Sequence, residues 1–333
     1  MAPDEAVVHT PGEVARRTDL RPDTDYQWLD FNFRTLPAPG ELLATFATVN
    51  DVHFGEVEAG IVTGSDVGPT FRAEPGEEPY PEMMNRGAVT EIAGIDPDAV
   101  LVKGDLTSLG TPAEYDAFRA AYEPAFGDRL RVVRGNHDAY YGHTFAAEPC
   151  QEIDLPGVRL VLLDTSVPGR ANGSLTDDQL GWLDDLAATS DRPVLVFGHH
   201  HCWNPASAER PEGYFGLVPD ASERLVEVIA RRPSIGGYFA GHTHRNRVRR
   251  FPATGDVPYV EVACVKDYPG TWAEYRVYEG AVVQIHRRVS TPEALAWTDK
   301  TRHMYAGLYQ EYAFGRLEDR CFPIWPRPRP PLG

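Results

Sequence analysis

The chain of 333 residues carries 32 Lys and Arg against 49 Asp and Glu, a formal charge of −17, and four cysteines. No run approaches the ~20 apolar residues of a membrane-spanning helix, residues 1–17 lack the apolar core of a secretory leader, and Cys150, Cys202, Cys264 and Cys321 form neither a disulfide framework nor a CxxC metal pair. A cytoplasmic protein is expected, and one this acidic has little Lys and Arg with which to track a nucleic-acid backbone.

Residues 1–40 read as an extended N-terminal arm whose Tyr26, Trp28, Phe31 and Phe33 pack onto a body. Short β-branched runs then predict buried strands at 42–50, 99–103, 130–134, 158–163, 193–197 and 235–240. Helices fall between them. One covers 81–93, a second opens on the capping box Thr111-Pro112-Ala113-Glu114 and runs to Phe126, and a third opens on Thr176-Asp177-Asp178-Gln179. A fourth, 225–230, is capped by Ser222 or Asp220. Strands alternating with helices imply crossover units around a largely parallel sheet. After Gly241 the runs 259–264, 273–278 and 281–287 predict an antiparallel part, a helical stretch follows from Thr291 to about Tyr312, and the Pro-rich tail 323–333 is extended.

Seven of the 11 histidines fall in short clusters, each just after a predicted strand. These are Asn50-Asp51-Val52-His53, Gly135-Asn136-His137-Asp138, His199-His200-His201 and Gly241-His242-Thr243-His244, joined by Gly104-Asp105. Ligands in open α/β sheets bind outside the carboxyl ends of the strands. Taken singly, each cluster has an ordinary structural reading. Together they offer two carboxylates, one amide oxygen and several imidazoles. Mixed N and O donors without thiolates suit Mn, Fe, Zn or Co.

The order D-x-H, G-D, G-N-H-D, H-H, G-H-x-H resembles the calcineurin-like metallophosphoesterase superfamily, and within it the class III cyclic nucleotide phosphodiesterases. The resemblance implies a four-layer α/β/β/α sandwich spanning 41–290, with the arm 1–40 before it and a C-terminal helical extension, 291–333. It implies two divalent metal ions: Asp51, His53 and His244 on one, Asn136, His200 and His242 on the other, and Asp105 bridging. His137 would be the general acid or anion stabiliser, oriented by Asp138. The block His199-His200-His201-Cys202 departs from the His-His-Pro-Pro of many relatives and leaves two registers open. With Cys202 at the first Pro position the ligand is His200, the reading preferred; shifted by one it is His199. His201 is then substrate-facing or supporting, and Cys202 a buried small residue. Asn50 stands where relatives often have Ser, with little consequence expected.

The resemblance thus implies hydrolysis of a small phosphodiester, a cyclic nucleotide among the candidates, by attack of metal-bound hydroxide; the alternative is a phosphomonoesterase. Asn136, His137, His201 and Arg245 would touch the substrate, although alternation of Arg245, Arg247 and Arg249 also fits a solvated strand. Lys266 to Gly270 would line the site or form an ordinary turn. The irregular stretch 55–79 follows the first cluster directly and is expected to form part of the substrate entrance. The aromatic stretch 297–325 would pack into the core or mediate a homodimer. Neither membrane nor extended nucleic acid is an expected partner.

Overall fold

The β-branched runs all form strands, and they divide between two sheets rather than one. The computed structural model describes residues 1–10, 13–62 and 64–327. In chain order the strands are β1 (Ala6–Thr10), β2 (Glu13–Arg17), β3 (Asp25–Trp28), β4 (Phe31–Arg34), β5 (Leu42–Val49), β6 (Ala99–Lys103), β7 (Leu130–Val133), β8 (Cys150–Leu155), β9 (Val158–Leu163), β10 (Val194–Phe197), β11 (Ile235–Ala240), β12 (Arg247–Arg249), β13 (Tyr259–Glu261), β14 (Thr271–Tyr278), β15 (Val282–Arg288) and β16 (Phe322–Ile324). The helices are α1 (Tyr80–Ala93), α2 (Pro112–Phe126), α3 (Asn136–Ala139), α4 (Asp177–Thr189), α5 (Pro219–Arg231), α6 (Pro292–Thr301) and α7 (Tyr309–Phe314). Both capping boxes form as read: Thr111 and Glu114 open α2, and Thr176 and Gln179 open α4.

One sheet has the order β16-β15-β14-β5-β6-β7 and the other β12-β13-β11-β10-β9-β8. The strands β5, β6 and β7 are parallel, as are β9, β10, β11 and β13. Along β5 and β6, Ala47, Val49, Val100 and Val102 pack with the helices, whereas Phe46, Ala99 and Leu101 pack with the other sheet. Both faces are buried, which is why these strands are continuously apolar in sequence. Between the sheets Phe46 of the first meets Phe197 of the second edge-on, with ring centroids 5.9 Å apart. Residues Met84, Phe118, Tyr122 and Trp297 cover the outside of the first sheet, and Leu183, Leu225 and Ile229 that of the second. This is the four-layer α/β/β/α sandwich.

Four expectations change. The arm is two hairpins, β1-β2 and β3-β4. Its aromatics do not bury on the body: Tyr26 stacks on Phe33 within the second hairpin and Phe31 is exposed, while Ala2, Leu36 and Ala38 make the apolar contact with Tyr278, Val283 and Ile285. The run 259–264 contributes only β13, which is parallel to β11 and antiparallel to β12. The helix expected to reach Tyr312 stops at Thr301 and resumes as α7, because Tyr305, Ala306 and Gly307 all have positive φ (54°, 54° and 85°). The tail adds β16 to the edge of the first sheet, and residues 328–333 lie outside the described residues. Among the described residues no helix is long and apolar enough to cross a membrane.

Candidate functional site

The parallel strands of both sheets deliver their carboxyl ends to one edge of the sandwich, and every histidine cluster lies there. Asp51 and His53 follow β5, Asp105 follows β6, Asn136 and His137 open α3 after β7, His199 follows β10, and His242 and His244 follow β11. Sharp turns are needed to aim side chains back over the strand ends. Asp51, His53, Asp105, His242 and His244 accordingly hold φ between 48° and 67°. Left-handed backbone at a non-glycine residue costs about 1–3 kcal/mol and persists where the surroundings over-determine it. Crowding explains the preceding glycines. A Cβ at Gly104 would stand 2.5 Å from His199 Nδ1, and one at Gly135 would collide with Asp105 Oδ1.

Asp105 is the centre of the arrangement. Its Oδ2 lies 3.4 Å from His53 Nε2 and 3.3 Å from His199 Nε2, and its Oδ1 accepts from the His137 backbone N–H at 2.9 Å. Burial pushes the Asp105 carboxyl up, and the charges of His199 and His137 overcome this, holding it well below the usual range. On one side Asp51, His53 and His244 bring ligand atoms within 4.8 Å of one another. Asp51 accepts from the His242 backbone N–H at 3.1 Å, and Glu56 Oε2 stands 3.1 Å from His53 Nδ1. On the other side His199 Nε2 is 3.1 Å from Asn136 Oδ1 and 3.2 Å from His242 Nδ1. Backbone carbonyls hold the far nitrogens of these rings: Lys103 O meets His199 Nδ1 at 2.9 Å, and Phe215 O meets His242 Nε2 at 2.6 Å.

Both histidines left open by the sequence lie at this side, where His199, His200 and His242 bring ligand atoms within 4.8 Å of one another. The ring that meets Asp105 and Asn136 is His199. His200 turns its Nδ1 to Thr165 Oγ1 at 2.8 Å. Three placements differ from expectation. Asp138 does not orient His137; it is buried and accepts from the backbone N–H groups of Gly135, Leu106 and Thr107, and burial together with the Asp105 charge pushes its carboxyl up to about 6. The His137 ring is held instead by the Ser108 carbonyl, 2.6 Å from Nδ1. His201 and Arg245 do not line the cavity over the site. His201 is buried beside Tyr214 with its pKa pushed down to about 4, by burial first. Arg245 donates to Glu261 at 2.9 Å. Asn50 matters more than expected, since its buried amide donates to Asp51 and to the Val262 carbonyl. Lys266 is also buried, pairing with Glu56 at 2.5 Å.

Residues that sequence reasoning missed are chiefly aromatic. Tyr140 accepts from Asn136 Nδ2 at 2.7 Å, and Phe215, Tyr305, Tyr309 and Tyr312 line the same cavity. Tyr140 lies four residues after Asn136, one helical turn on, which was the available signal. Of the irregular stretch expected at the entrance, Val62 reaches the cavity wall.

The residues present fit a metal pair. Asp51, Asp105, Asn136 and four imidazoles converge, all buried except the part-exposed His244. His53 Nε2, 3.4 Å from Asp105 Oδ2, is buried without a hydrogen-bond partner among the described residues. An orphaned imidazole nitrogen beside buried carboxylates is what cation ligation satisfies.

Comparison with known proteins agrees with this geometry. A family model described as calcineurin-like phosphoesterase matches residues 44–246. A glycerophosphodiester phosphodiesterase from Enterobacter lignolyticus is 32% identical over 53% of this chain and 70% of its own length. A cAMP/cGMP dual specificity phosphodiesterase from Mycobacterium tuberculosis is 34% identical over 46% of this chain, which spans only 50% of that relative. Among solved structures, a dimetal phosphatase from Danio rerio shares the fold with a TM-score of 0.60 at 18% identity, covering 75% of this chain and 97% of its own. On the family match and the first of these relatives, the chain belongs to the calcineurin-like phosphoesterase family.

Proposed function

We propose that the protein is a dinuclear metal-dependent phosphodiesterase acting on a small ester. The carrying observation is the Asp105 carboxylate set between His53 and His199, at 3.4 and 3.3 Å, with a donor cluster on each side and the cavity above. Asp51, His53 and His244 would hold one ion, Asn136, His199 and His242 the other, and Asp105 both; the donors suit Mn, Fe or Zn. Divalent ions there supply Lewis-acid charge for the phosphoryl oxygens and a nucleophile from water at neutral pH. The chain's own groups do the rest. Asn136 is oriented by Tyr140. His137, with Nδ1 donating to Ser108, keeps Nε2 free for a proton that the departing ester oxygen needs. The curated relatives named as diesterases support a diester, cyclic nucleotides included, over a monoester.

Full-length protein loaded with Mn is expected to hydrolyse bis(p-nitrophenyl) phosphate with a higher kcat/KM than p-nitrophenyl phosphate, and Asn136→Ala to abolish both activities. Folded, metal-loaded protein that leaves a panel of diesters intact overturns the proposal; a higher kcat/KM on the monoester makes it a phosphomonoesterase. The histidine register has its own test. His199→Ala is expected to lower metal affinity about 100-fold or more, and His200→Ala no more than about tenfold. Metal titration after dialysis against a chelator reads both.

A further inference from the structure

The cavity over the metal cluster has two unlike sides. Its floor is Asp105, Asn136, His137 and His242, within a volume of about 490 Å³. Its wall is Phe215, Tyr305, Leu308 and Tyr312, and no Lys or Arg lines it among the described residues. The wall is exposed where apolar groups are ordinarily covered: Phe215 is 54%, Leu308 72% and Tyr312 45% accessible. Large apolar groups gathered at the mouth of a polar site mark a surface for a ligand.

The rings are also held in place. Phe215 lies on His242 with centroids 4.0 Å apart and planes at 27°. The Tyr312 hydroxyl donates to the Thr243 carbonyl at 3.0 Å, and the Arg245 guanidinium stands 5.0 Å from its ring. Tyr305 and Ala306 both keep φ at 54°, with the Ala306 N–H tied to the Gly68 carbonyl at 2.7 Å. Strained backbone held by a long-range hydrogen bond sets one geometry for the wall. Tyr305, Leu308 and Tyr312 all lie beyond residue 246, where the family match ends.

Resting on the phosphodiesterase reading above, we propose that Phe215, Tyr305 and Tyr312 make the site selective for an ester whose organic group is a flat, uncharged aromatic ring. Pre-positioned rings bind another ring at little ordering cost. A second anionic group would meet no cationic side chain in this lining.

Two pairs of probes test this on full-length, Mn-loaded protein. The first pair is inert to hydrolysis: phenylphosphonate and methylphosphonate, titrated calorimetrically. Phenylphosphonate is expected to bind about tenfold or more tighter, as stacking on an aromatic wall gives. Tyr312→Leu with Phe215→Leu should collapse that ratio to near one, while Tyr312→Phe keeps it. The second pair shares a leaving group: p-nitrophenyl phenyl phosphate and p-nitrophenyl methyl phosphate, expected to differ in kcat/KM in the same sense. Equal affinities for the two phosphonates, or a preference that survives loss of both rings, overturn the proposal. A phenyl preference in binding with neither ester hydrolysed leaves this recognition standing and sinks the phosphodiesterase reading instead.

Discussion

Asp105→Asn is expected to lower kcat/KM on a diester by about 10² to 10⁴ and to weaken binding of both metal ions together. The substitution keeps the shape of the side chain and removes only its charge. Asp105 is 2% exposed, and one oxygen faces His53 on one side and His199 on the other. Removing one partner from a buried charge pair costs about 3–5 kcal/mol, because the other charges stay behind without compensation. Here those charges would be two dications, and a neutral amide cannot offset their repulsion. Asp51→Asn should behave differently. Asp51 touches His244 and the His242 backbone, and in the proposed assignment it would hold one ion only. Metal analysis after gel filtration should therefore find about two equivalents in the wild type, about one in Asp51→Asn, and fewer than one in Asp105→Asn. A protein that keeps both ions without the Asp105 carboxylate would refute its place between them.

Much of this site could be read from the chain, for a physical reason. A strand ends, the backbone turns sharply, and the next few side chains face the cavity; candidate site residues therefore sit beside one another in sequence. Asp51 with His53, Asn136 with His137, and His242 with His244 are such pairs, and small residues beside them (Gly104, Gly135) are forced by crowding. The His199-His200 choice was not legible in the same way. Both residues follow β10, both are buried, and only the turn after Phe197 decides which ring meets Asp105. Nor could the chain reveal supports made by backbone carbonyls, such as Ser108 for His137 or Phe215 for His242, since any residue supplies a carbonyl. The aromatic wall was visible as an aromatic stretch, but its helical spacing suited core packing. The break at 305–307 divides the roles: Trp297 before it is buried in the core, whereas Tyr305, Leu308, Tyr309 and Tyr312 line the cavity, Tyr309 while also packing into the core.

His137→Ala is the complementary prediction, a loss of turnover without a loss of metal. The His137 ring lines the cavity, is only part-buried and packs edge-on against His53, and its hydrogen bonds are made by its backbone N–H and by Nδ1. Replacing the ring leaves the N–H that donates to Asp105 Oδ1, so the carboxylate keeps that partner. What disappears is a nitrogen able to hold a proton over the floor of the site. Positioned general acids contribute about 10² to 10⁴ in rate. The drop in kcat should fall in that range for an alkyl leaving group. It should be much smaller for p-nitrophenolate, which departs without protonation. Metal stoichiometry should stay at the wild-type value in both cases. Comparing kcat for methyl p-nitrophenyl phosphate and dimethyl phosphate in the two proteins separates the roles. A uniform loss on both esters would make His137 a stabiliser of charge on the phosphoryl group, and a loss of metal would make it a support for Asp105. Only a leaving-group-dependent loss assigns it the proton.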